Sequence, residues 1–259
     1  MKKTIIITGA SSGLGAALAM RYSIEGNNLF LFARSEERLN NTALICKNNG
    51  ANVTTIIADV TDASTMQNHL DKIAKQHSVD IIIACAGVSA GTLDGPETLT
   101  QVNKIFSTNV NGVINTVMPL IPYMIRKKSG NIVIISSMAG MLGLSSAPSY
   151  SASKGAVRMF SDALNGYLKI YNVHVSNVIP GYIKTPMTAV NQFPMPFQIS
   201  ADKAAQKIIH AVARNQGVIA FPMSIYFVMK ILNLLPSRLI SYINSKLPGK
   251  PAFDKSSNT

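Results

Sequence analysis

The sequence has no tryptophan, only two cysteines, and 12 acidic residues against 24 basic ones. Cys46 falls in a helical pattern and Cys85 in an apolar strand, and no second cysteine lies near either one. The sequence therefore offers neither a disulfide framework nor a cysteine-based metal site, and we expect no metal. Both thiols are expected to be reduced and buried, as in a cytoplasmic protein.

Long apolar runs at the start of the chain are also missing. Met1-Lys2-Lys3 precedes Ile5-Ile6-Ile7, but the apolar run stops at Thr8-Gly9. That length is too short for the hydrophobic region of a secretion signal. We therefore expect a cytoplasmic location, with peripheral contact at the inner face of a membrane as an open alternative.

The excess of basic residues gives a formal net charge of +12. These residues are scattered singly, and Arg126-Lys127-Lys128 is the only tight cluster. Because no nucleic-acid motif with interleaved aromatic residues is present, we expect no nucleic-acid partner. A solvated basic surface is the leading interpretation, and attraction to anionic lipid or to an anionic substrate is the alternative.

Short apolar runs alternate with longer helical patterns from the first residues onward. Near-continuous apolarity is typical of parallel strands that are covered on both faces. The predicted strands are Thr4–Thr8, Asn28–Ala33, Val53–Ala58, Asp80–Ala84, Asn131–Ser136, Val173–Ile179 and Val218–Phe221. The predicted helices are Gly13–Glu25, Glu36–Asn48, Ser64–His77, Thr98–Arg126, Ser149–Tyr171 and Ala201–Asn215.

This alternation predicts an α/β fold, a single doubly wound Rossmann-type parallel sheet with helices on both faces. No repeat or linker divides residues 1–221, which we expect to form one domain that contains the catalytic site. Residues 222–247 are predicted to be an apolar helical extension. Residues 248–259, rich in lysine, serine and proline, are predicted to be a flexible tail.

A glycine-rich turn, Thr8-Gly9-Ala10-Ser11-Ser12-Gly13-Leu14-Gly15, lies between the first strand and the first helix. Glycines let a backbone approach a pyrophosphate closely, and the N-terminus of a helix offers unpaired N–H groups. A purely structural tight turn is the alternative. The spacing G-x-x-x-G-x-G differs from the dinucleotide fingerprint G-x-G-x-x-G.

This turn resembles the cofactor turn of the short-chain dehydrogenase/reductase family, and the resemblance continues over roughly residues 1–221. The family assignment implies that a nicotinamide dinucleotide binds at the turn. The residues that it places at the cofactor are Gly9, Ser11, Ser12, Gly13, Leu14, Gly15, Asp59, Val60, Ala86, Gly87, Tyr150, Lys154, Pro180, Gly181, Ile183 and Thr185.

Tyr150 and Lys154 are four residues apart, which places a phenol and an ammonium on one face of a helix. An adjacent ammonium and an oxidised nicotinamide both favour the phenolate, so Tyr150 is a candidate general acid in ketone reduction and base in the reverse direction. The resemblance adds Ser137, which would stabilise charge on the substrate oxygen, and Asn109, which would hold a water that relays protons to Lys154. Ser136 is expected to be structural.

The end of the second strand indicates which cofactor is used. A carboxylate there would bind the ribose hydroxyls of NAD, but this chain has Ala33 at that position, followed by Arg34 and Ser35. Arg34 can pair with a 2′-phosphate and Ser35 can donate a hydrogen bond to it, which predicts NADP(H) over NAD(H). Alternatively, Arg34 faces water and Ser35 caps the helix that begins at Glu36.

One position departs from the family pattern. Members of the family usually carry Asn-Ala-Gly after the fourth strand, where this chain has Cys85-Ala86-Gly87. The loss of the asparagine amide predicts a weaker sheet or cofactor site at a cost of about 1 kcal/mol for each lost hydrogen bond. Catalytic activity is still expected despite this change.

The predicted partner is a small-molecule carbonyl or alcohol. The loop between Thr185 and Ser200 contains Met187, Phe193, Met195 and Phe197, which indicate an apolar substrate or, alternatively, a loop that simply packs on the protein.

The sequence predicts a homodimer or homotetramer. A catalytically silent NADP-binding sensor is the alternative function, whereas nucleotide-sugar epimerases need more chain than is present.

The apolar segment 223–235 is too short for a membrane-spanning helix. Three interpretations of residues 223–247 stay open: burial over the substrate opening, a subunit contact, and contact with an anionic membrane surface.

Overall fold

The computed structural model describes residues 2–245 and 250–253. Its main strands agree with the predicted apolar runs within one residue at each end. They are β1 (Thr4–Thr8), β2 (Asn28–Ala33), β3 (Asn52–Ile57), β4 (Val79–Ala84), β5 (Asn131–Ile135), β6 (His174–Pro180) and β9 (Val218–Phe221). A two-stranded pair, β7 (Ile183–Lys184) and β8 (Ile199–Ser200), brackets the predicted substrate loop.

The helices before residue 172 and the helix over 201–212 occupy the predicted crossover segments, the short helix at 186–189 was not predicted, and two helices lie in the predicted C-terminal extension. They are α1 (Gly13–Ser23), α2 (Glu36–Asn48), α3 (Ala63–Gln76), α4 (Leu99–Phe106), α5 (Gly112–Val117), α6 (Ile121–Lys127), α7 (Pro148–Leu168), α8 (Pro186–Ala189), α9 (Ala201–Val212), α10 (Met223–Leu232) and α11 (Ser237–Ser245). The predicted helix over 98–126 is interrupted by a π-helical turn at Ser107–Asn111 and a 3₁₀ turn at Met118–Leu120, where Pro119 lacks a backbone donor.

The main sheet has seven parallel strands in the order β3-β2-β1-β4-β5-β6-β9. The chain moves outward from β1 to β3 and then returns to place β4 on the other side of β1. Such a reversal separates the loops at the carboxyl ends of β1 and β4, and ligands of open α/β sheets bind in the resulting crevice. The fold therefore places Gly9 and Cys85 at the two sides of this crevice.

Both faces of the sheet are covered, which explains why the strands are apolar throughout. Ile5 and Ile7 on β1 point to one face and Ile6 points to the other, and all three are fully buried. Leu18 of α1 and Ile208 of α9 belong to the first core, and the second core includes residues of α3, α5 and α7. The doubly wound Rossmann-type fold predicted from the sequence is confirmed.

The first helix of the C-terminal extension, α10, is mostly uncovered. Of its side chains only Tyr226 is buried, in a small cluster with Met138 and Met141. Phe227, Val228, Ile231 and Leu234 are more than half exposed. One side of α10 therefore packs on its own chain through Tyr226, Ile225 and Met229, while its opposite side is exposed, so burial over the substrate opening accounts for only part of this helix. No helix among the described residues is both long and apolar enough to cross a bilayer.

Residues 250–253, which we call the C-terminal strap, lie within the segment that the sequence predicts to be a flexible tail. That prediction is wrong for the strap, because its backbone pairs with the loop that follows β4. The amides of Gly91 and Leu93 donate to the carbonyls of Pro251 and Lys250 over 2.8 and 2.9 Å. The rest of the predicted tail lies outside the described residues.

Candidate active site

The glycine-rich turn connects β1 to α1 at the sheet's reversal point. Gly9 has a left-handed φ of +69°, and a Cβ there would lie 2.8 Å from the Cα of Ala86. At Gly15 a Cβ would collide with the carbonyl oxygen of Gly9. The turn thus requires glycine at both positions, and it leaves the N-terminal amides of α1 facing an open cleft, a geometry that suits a pyrophosphate.

All of the predicted cofactor residues line this one cleft. They are Gly9, Ser11, Ser12, Gly13, Leu14, Gly15, Arg34, Ser35, Asp59, Val60, Ala86, Gly87, Tyr150, Lys154, Pro180, Gly181, Ile183 and Thr185. The cleft runs along the carboxyl ends of the parallel strands, so an extended dinucleotide fits its path. The glycine cradle and the free helix N-terminus are the local features that fit the pyrophosphate.

At one end of the cleft, Arg34 pairs loosely with Asp59 over 3.5 Å, and the Arg34 side chain is 62% exposed. Exposed pairs of this kind contribute little, so the guanidinium is available to a ligand. Ser35 occupies the N-cap position of α2 but makes no side-chain cap bond. Its hydroxyl instead accepts from Nε of Arg38 over 3.2 Å, which leaves the predicted capping role without its hydrogen bond.

Arg38 also lines the cleft, and the sequence reasoning missed it. Its signal was its position in the first turn of α2, three residues after Ser35, whose hydroxyl it contacts. The cleft therefore has two arginines at this end.

The backbone at Cys85 is still held by hydrogen bonds, although this position lacks the asparagine side chain that is usual in the family. The amides of Cys85 and Ala86 donate to the hydroxyl of Thr8 over 3.2 and 3.4 Å. Burial raises the pKa of the Cys85 thiol to about 12, so the group stays protonated at neutral pH. Cys85 thus contributes a neutral wall to the cleft rather than a nucleophile.

Tyr150 and Lys154 lie one turn apart near the start of α7, and both line the cleft. The ammonium of Lys154 lies 6.0 Å from the centre of the Tyr150 ring and donates to the carbonyl of Ile135 over 2.9 Å. Burial lowers the pKa of Lys154 to about 8. The sequence placed these two groups on one helix face, and the structure brings both to the end of β5.

The expected lowering of the Tyr150 pKa by the nearby ammonium does not occur in the protein alone. Burial raises the pKa of Tyr150, and the hydrogen bond with Ser137 opposes this only in part. The reason is that the phenol loses more solvation than its polar neighbours restore. Without a bound cofactor the group is therefore a neutral phenol, which is the form that a proton donor needs.

Ser137 lies directly after β5 at the start of a short 3₁₀ turn, Met138–Gly140. Its hydroxyl oxygen accepts from the amide of Ala139 over 3.1 Å, and its hydrogen bond to Tyr150 places it beside the phenol. Ser136 is buried and donates to the carbonyl of Val178 over 2.8 Å, as expected of a structural residue. Consecutive serines therefore point to different environments, and only Ser137 is next to Tyr150.

Asn109 lies in the π-helical turn Ser107–Asn111 and is fully buried. Its amide donates to the carbonyl of Val88 and to the hydroxyl of Ser153 over 2.9 and 3.0 Å, and its oxygen accepts from the amide of Val88 over 2.8 Å. A Cβ at Gly87 would lie 3.2 Å from that oxygen and 3.5 Å from the Lys154 ammonium. Asn109 thus ties the loop after β4 to α7, next to Lys154.

The predicted substrate loop is only partly in the cleft. Met187 lines it, together with Thr188, whereas Phe197 is 65% exposed. Phe193 packs against the ring of Tyr182 with centroids 6.1 Å apart. Part of the predicted apolar lining is therefore in place, and Phe197 faces solvent.

The phenol of Tyr150, the hydroxyl of Ser137 and the ammonium of Lys154 lie together at the inner end of the cleft. Such a set can donate a proton to a carbonyl oxygen and stabilise charge that develops there.

Comparisons with known proteins agree with this geometry. The sequence model described as short chain dehydrogenase matches residues 3–193. An uncharacterised oxidoreductase from Myxococcus xanthus is 31% identical over 238 residues, which cover 92% of this chain and 94% of that protein.

Two solved structures share the fold. A short-chain dehydrogenase from Sphingobium yanoikuyae, in complex with NADPH, has a TM-score of 0.80 at 24% identity over 97% of this chain and 99% of its own. A short chain dehydrogenase/reductase from Burkholderia phymatum, in complex with NAD, has a TM-score of 0.82 at 24% identity, with 96% and 97% covered.

Proposed function

The chain belongs to the short chain dehydrogenase family, and from that premise we propose that it is an NADP(H)-dependent oxidoreductase that interconverts a carbonyl and an alcohol. The observation that supports this most strongly is the convergence of Ser137, Tyr150 and Lys154 at the inner end of the glycine-lined cleft. Residues 1–221 would carry both the cofactor site and the catalytic site. The nicotinamide, when bound, supplies or accepts the hydride.

The protein's own groups handle the proton and the developing charge. In the reducing direction the phenol of Tyr150 donates its proton to the carbonyl oxygen, and the hydroxyl of Ser137 donates a hydrogen bond to the same oxygen. Lys154 is held beside them by the carbonyl of Ile135 and stabilises the phenolate that is left. Asn109 ties the loop after β4 to α7 through Val88 and Ser153, and it would hold the water that returns a proton to Lys154.

Oxidation of NADPH with a panel of neutral and charged carbonyl compounds, including oxo acids with apolar bodies, tests this function. The apolar side chain of Met187 in the cleft favours substrates with an apolar body. We expect activity with apolar ketones or aldehydes, and activity confined to small charged oxo acids would contradict an apolar substrate. A catalytically silent NADP-binding sensor would bind NADPH without consuming it under any of these conditions.

The preference for NADPH is attributed to Arg34, with Arg38 and Ser35 beside it. No carboxylate occupies the end of β2, where Ala33 stands, so the position that would bind the ribose hydroxyls of NAD does not repel a 2′-phosphate. The pair of guanidinium groups supplies charge-assisted hydrogen bonds to such a phosphate.

Replacing Arg34 by aspartate is expected to lower kcat/KM with NADPH by at least about 100-fold, because a charge-assisted bond is lost and a repulsive charge is gained. The value with NADH should fall much less or rise. Arg214→Asp, a change of the same charge at an exposed position outside the cleft, serves as the control and should change neither value. An unaltered preference in Arg34→Asp would refute this assignment.

We also propose that the exposed apolar side of α10 contacts an anionic membrane surface. Phe227 and Ile231 lie one turn apart and are 55% and 63% exposed, and Lys230 is exposed beside them. No acidic residue occurs between Asp202 and Asp254, so nothing in this stretch repels anionic lipid. Apolar side chains flanked by cations are the pattern of interfacial helices.

The double variant Phe227→Asp/Ile231→Asp is expected to reduce the vesicle-bound fraction about tenfold or more in co-sedimentation with phosphatidylglycerol vesicles, because two apolar anchors become anionic. Met159→Asp changes an exposed apolar residue on α7 instead and is the matched control. Pure phosphatidylcholine should bind neither protein. Undiminished sedimentation of the double variant, or a change in its oligomeric state with no change in lipid binding, would overturn this proposal and favour a subunit contact.

A further inference from the structure

The C-terminal strap lies over the loop that follows β4, next to the catalytic residues. Besides the two backbone bonds to Gly91 and Leu93, the amide of Ala252 donates to the carboxylate of Asp94 over 3.0 Å. The ring of Phe253 lies 4.8 Å from the ammonium of Lys104. Every residue of the strap is therefore fixed to the protein by at least one polar or ring contact.

The path of the strap requires a glycine beneath it. A Cβ at Gly91 would lie 2.5 Å from the carbonyl oxygen of Lys250 and 2.6 Å from its Cβ. Helix α11 is tied to the same region, since the side-chain amide of Asn244 donates to the carbonyl of Gly143 and the hydroxyl of Ser145 donates to the backbone carbonyl of Asn244. The extension thus closes around the segment between Ser137 and Tyr150.

Lys250 points from the strap toward Tyr150. Its ammonium lies 5.4 Å from the centre of the Tyr150 ring, slightly closer than the ammonium of Lys154, which lies 6.0 Å from the same centre. The ammonium donates to the hydroxyl of Ser89 over 2.6 Å, and among the described residues no carboxylate lies within salt-bridge distance of it. Burial lowers the pKa of Lys250 to about 8. A largely buried cation whose partners here, a hydroxyl and an aromatic ring, are both neutral has unused capacity to bind an anion.

Lys250 does not line the cofactor cleft, so the dinucleotide phosphates are not its partner. We propose that the Lys250 ammonium is a substrate-binding group that pairs with a carboxylate located near the reacting carbonyl. This rests on the proposed carbonyl chemistry and narrows the substrate to oxo acids with an apolar body. The apolar part would lie toward Met187, and the carboxylate would pair with the Lys250 ammonium beside Ser89.

The test uses the full chain saturated with NADP and a series of straight-chain carboxylates that differ in length, measured by calorimetry. Carboxylate binding is expected to weaken about 10- to 100-fold in Lys250→Met, because a charge-assisted hydrogen bond is lost. Lys250→Arg keeps the charge and should retain most of the affinity. The matching methyl esters should bind wild type and Lys250→Met equally, and the NADP affinity of all variants should be the same.

The kcat/KM of carbonyl reduction provides a second, independent measurement. Oxo acids should lose about 10- to 100-fold in kcat/KM in Lys250→Met, with a small change for their methyl esters. Equal effects on acids and esters, or carboxylate binding that is unaffected by Lys250→Met, would overturn the role of Lys250. Carboxylate binding that depends on Lys250 in a protein that reduces no carbonyl would instead leave the binding site standing and refute the proposed reaction.

Discussion

Tyr150→Phe is expected to lower the rate of carbonyl reduction about 10³-fold while leaving NADPH binding unchanged. The substitution removes only the hydroxyl that donates the proton, and general acid catalysis contributes about 10²- to 10⁴-fold. The remaining hydrogen bond from Ser137 still stabilises the substrate oxygen, so some activity should survive. The measurement is the single-turnover rate of NADPH oxidation with a saturating carbonyl substrate.

Tyr167 provides the matched control because it lies on the same helix, α7, and is 57% exposed. Tyr167→Phe removes the same atom outside the cleft and should leave the rate unchanged. A Tyr150→Phe protein that reduces its substrate as fast as the wild type would eliminate the proposed proton donor.

Lys154→Met is expected to have two opposite effects, a loss of activity and a gain in stability. The activity falls because the Lys154 ammonium no longer stabilises the Tyr150 phenolate. The stability rises because burial holds the pKa of Lys154 at about 8, below its ordinary value of 10.5. In the folded protein the charged form is therefore disfavoured, and removal of the ammonium relieves this cost.

The sign of the pH dependence follows from proton binding. Between pH 8 and 10.5 the unfolded chain binds more protons at Lys154 than the folded chain does, so the stability of the wild type rises with pH in this window. Below pH 8 the cost is fully present, at an upper bound of about 3 kcal/mol. The advantage of Lys154→Met in urea unfolding should accordingly be largest at pH 7 and shrink toward pH 10.5.

Lys207→Met is the control for this prediction, since Lys207 is exposed on α9. Its free energy of unfolding should follow that of the wild type at every pH. A Lys154→Met protein that is less stable than the wild type at pH 7 would show that the bond to the carbonyl of Ile135 outweighs the cost of burial.

The sheet could be predicted from the sequence because a parallel strand that is buried on both faces is encoded by an uninterrupted run of apolar residues. Ile5, Ile6 and Ile7 are apolar in succession only because both faces of β1 are covered. Motifs that lie at the ends of such strands, Gly9 after β1 and Ser137 after β5, are then brought together by topology alone. Most residues that line this cleft could therefore be named from the sequence, whereas Arg38 could not.

The remaining features depend on contacts between distant segments, which leave no periodic signal. Lys250 lies 161 residues from its partner Ser89, and its segment has the composition of a loose tail. The net effect of burial on the Tyr150 pKa depends on how many atoms surround the phenol, which spacing does not reveal. The exposed side of α10 was likewise ambiguous, because an apolar helix looks the same in sequence whether or not it is covered.

The most direct test of the central claim is hydride transfer itself. The protein would be incubated with a ketone and with NADPH that carries deuterium at the transferable position of the nicotinamide ring, and the alcohol would be analysed by mass spectrometry. We expect the wild type to yield alcohol with one deuterium on the carbinol carbon, and the oxidised cofactor to have lost the label. The Tyr150→Phe protein should form no detectable alcohol on the same time scale. An alcohol that forms without deuterium, or NADPH that binds in the cleft and is never consumed by any carbonyl compound, would contradict the proposed hydride transfer.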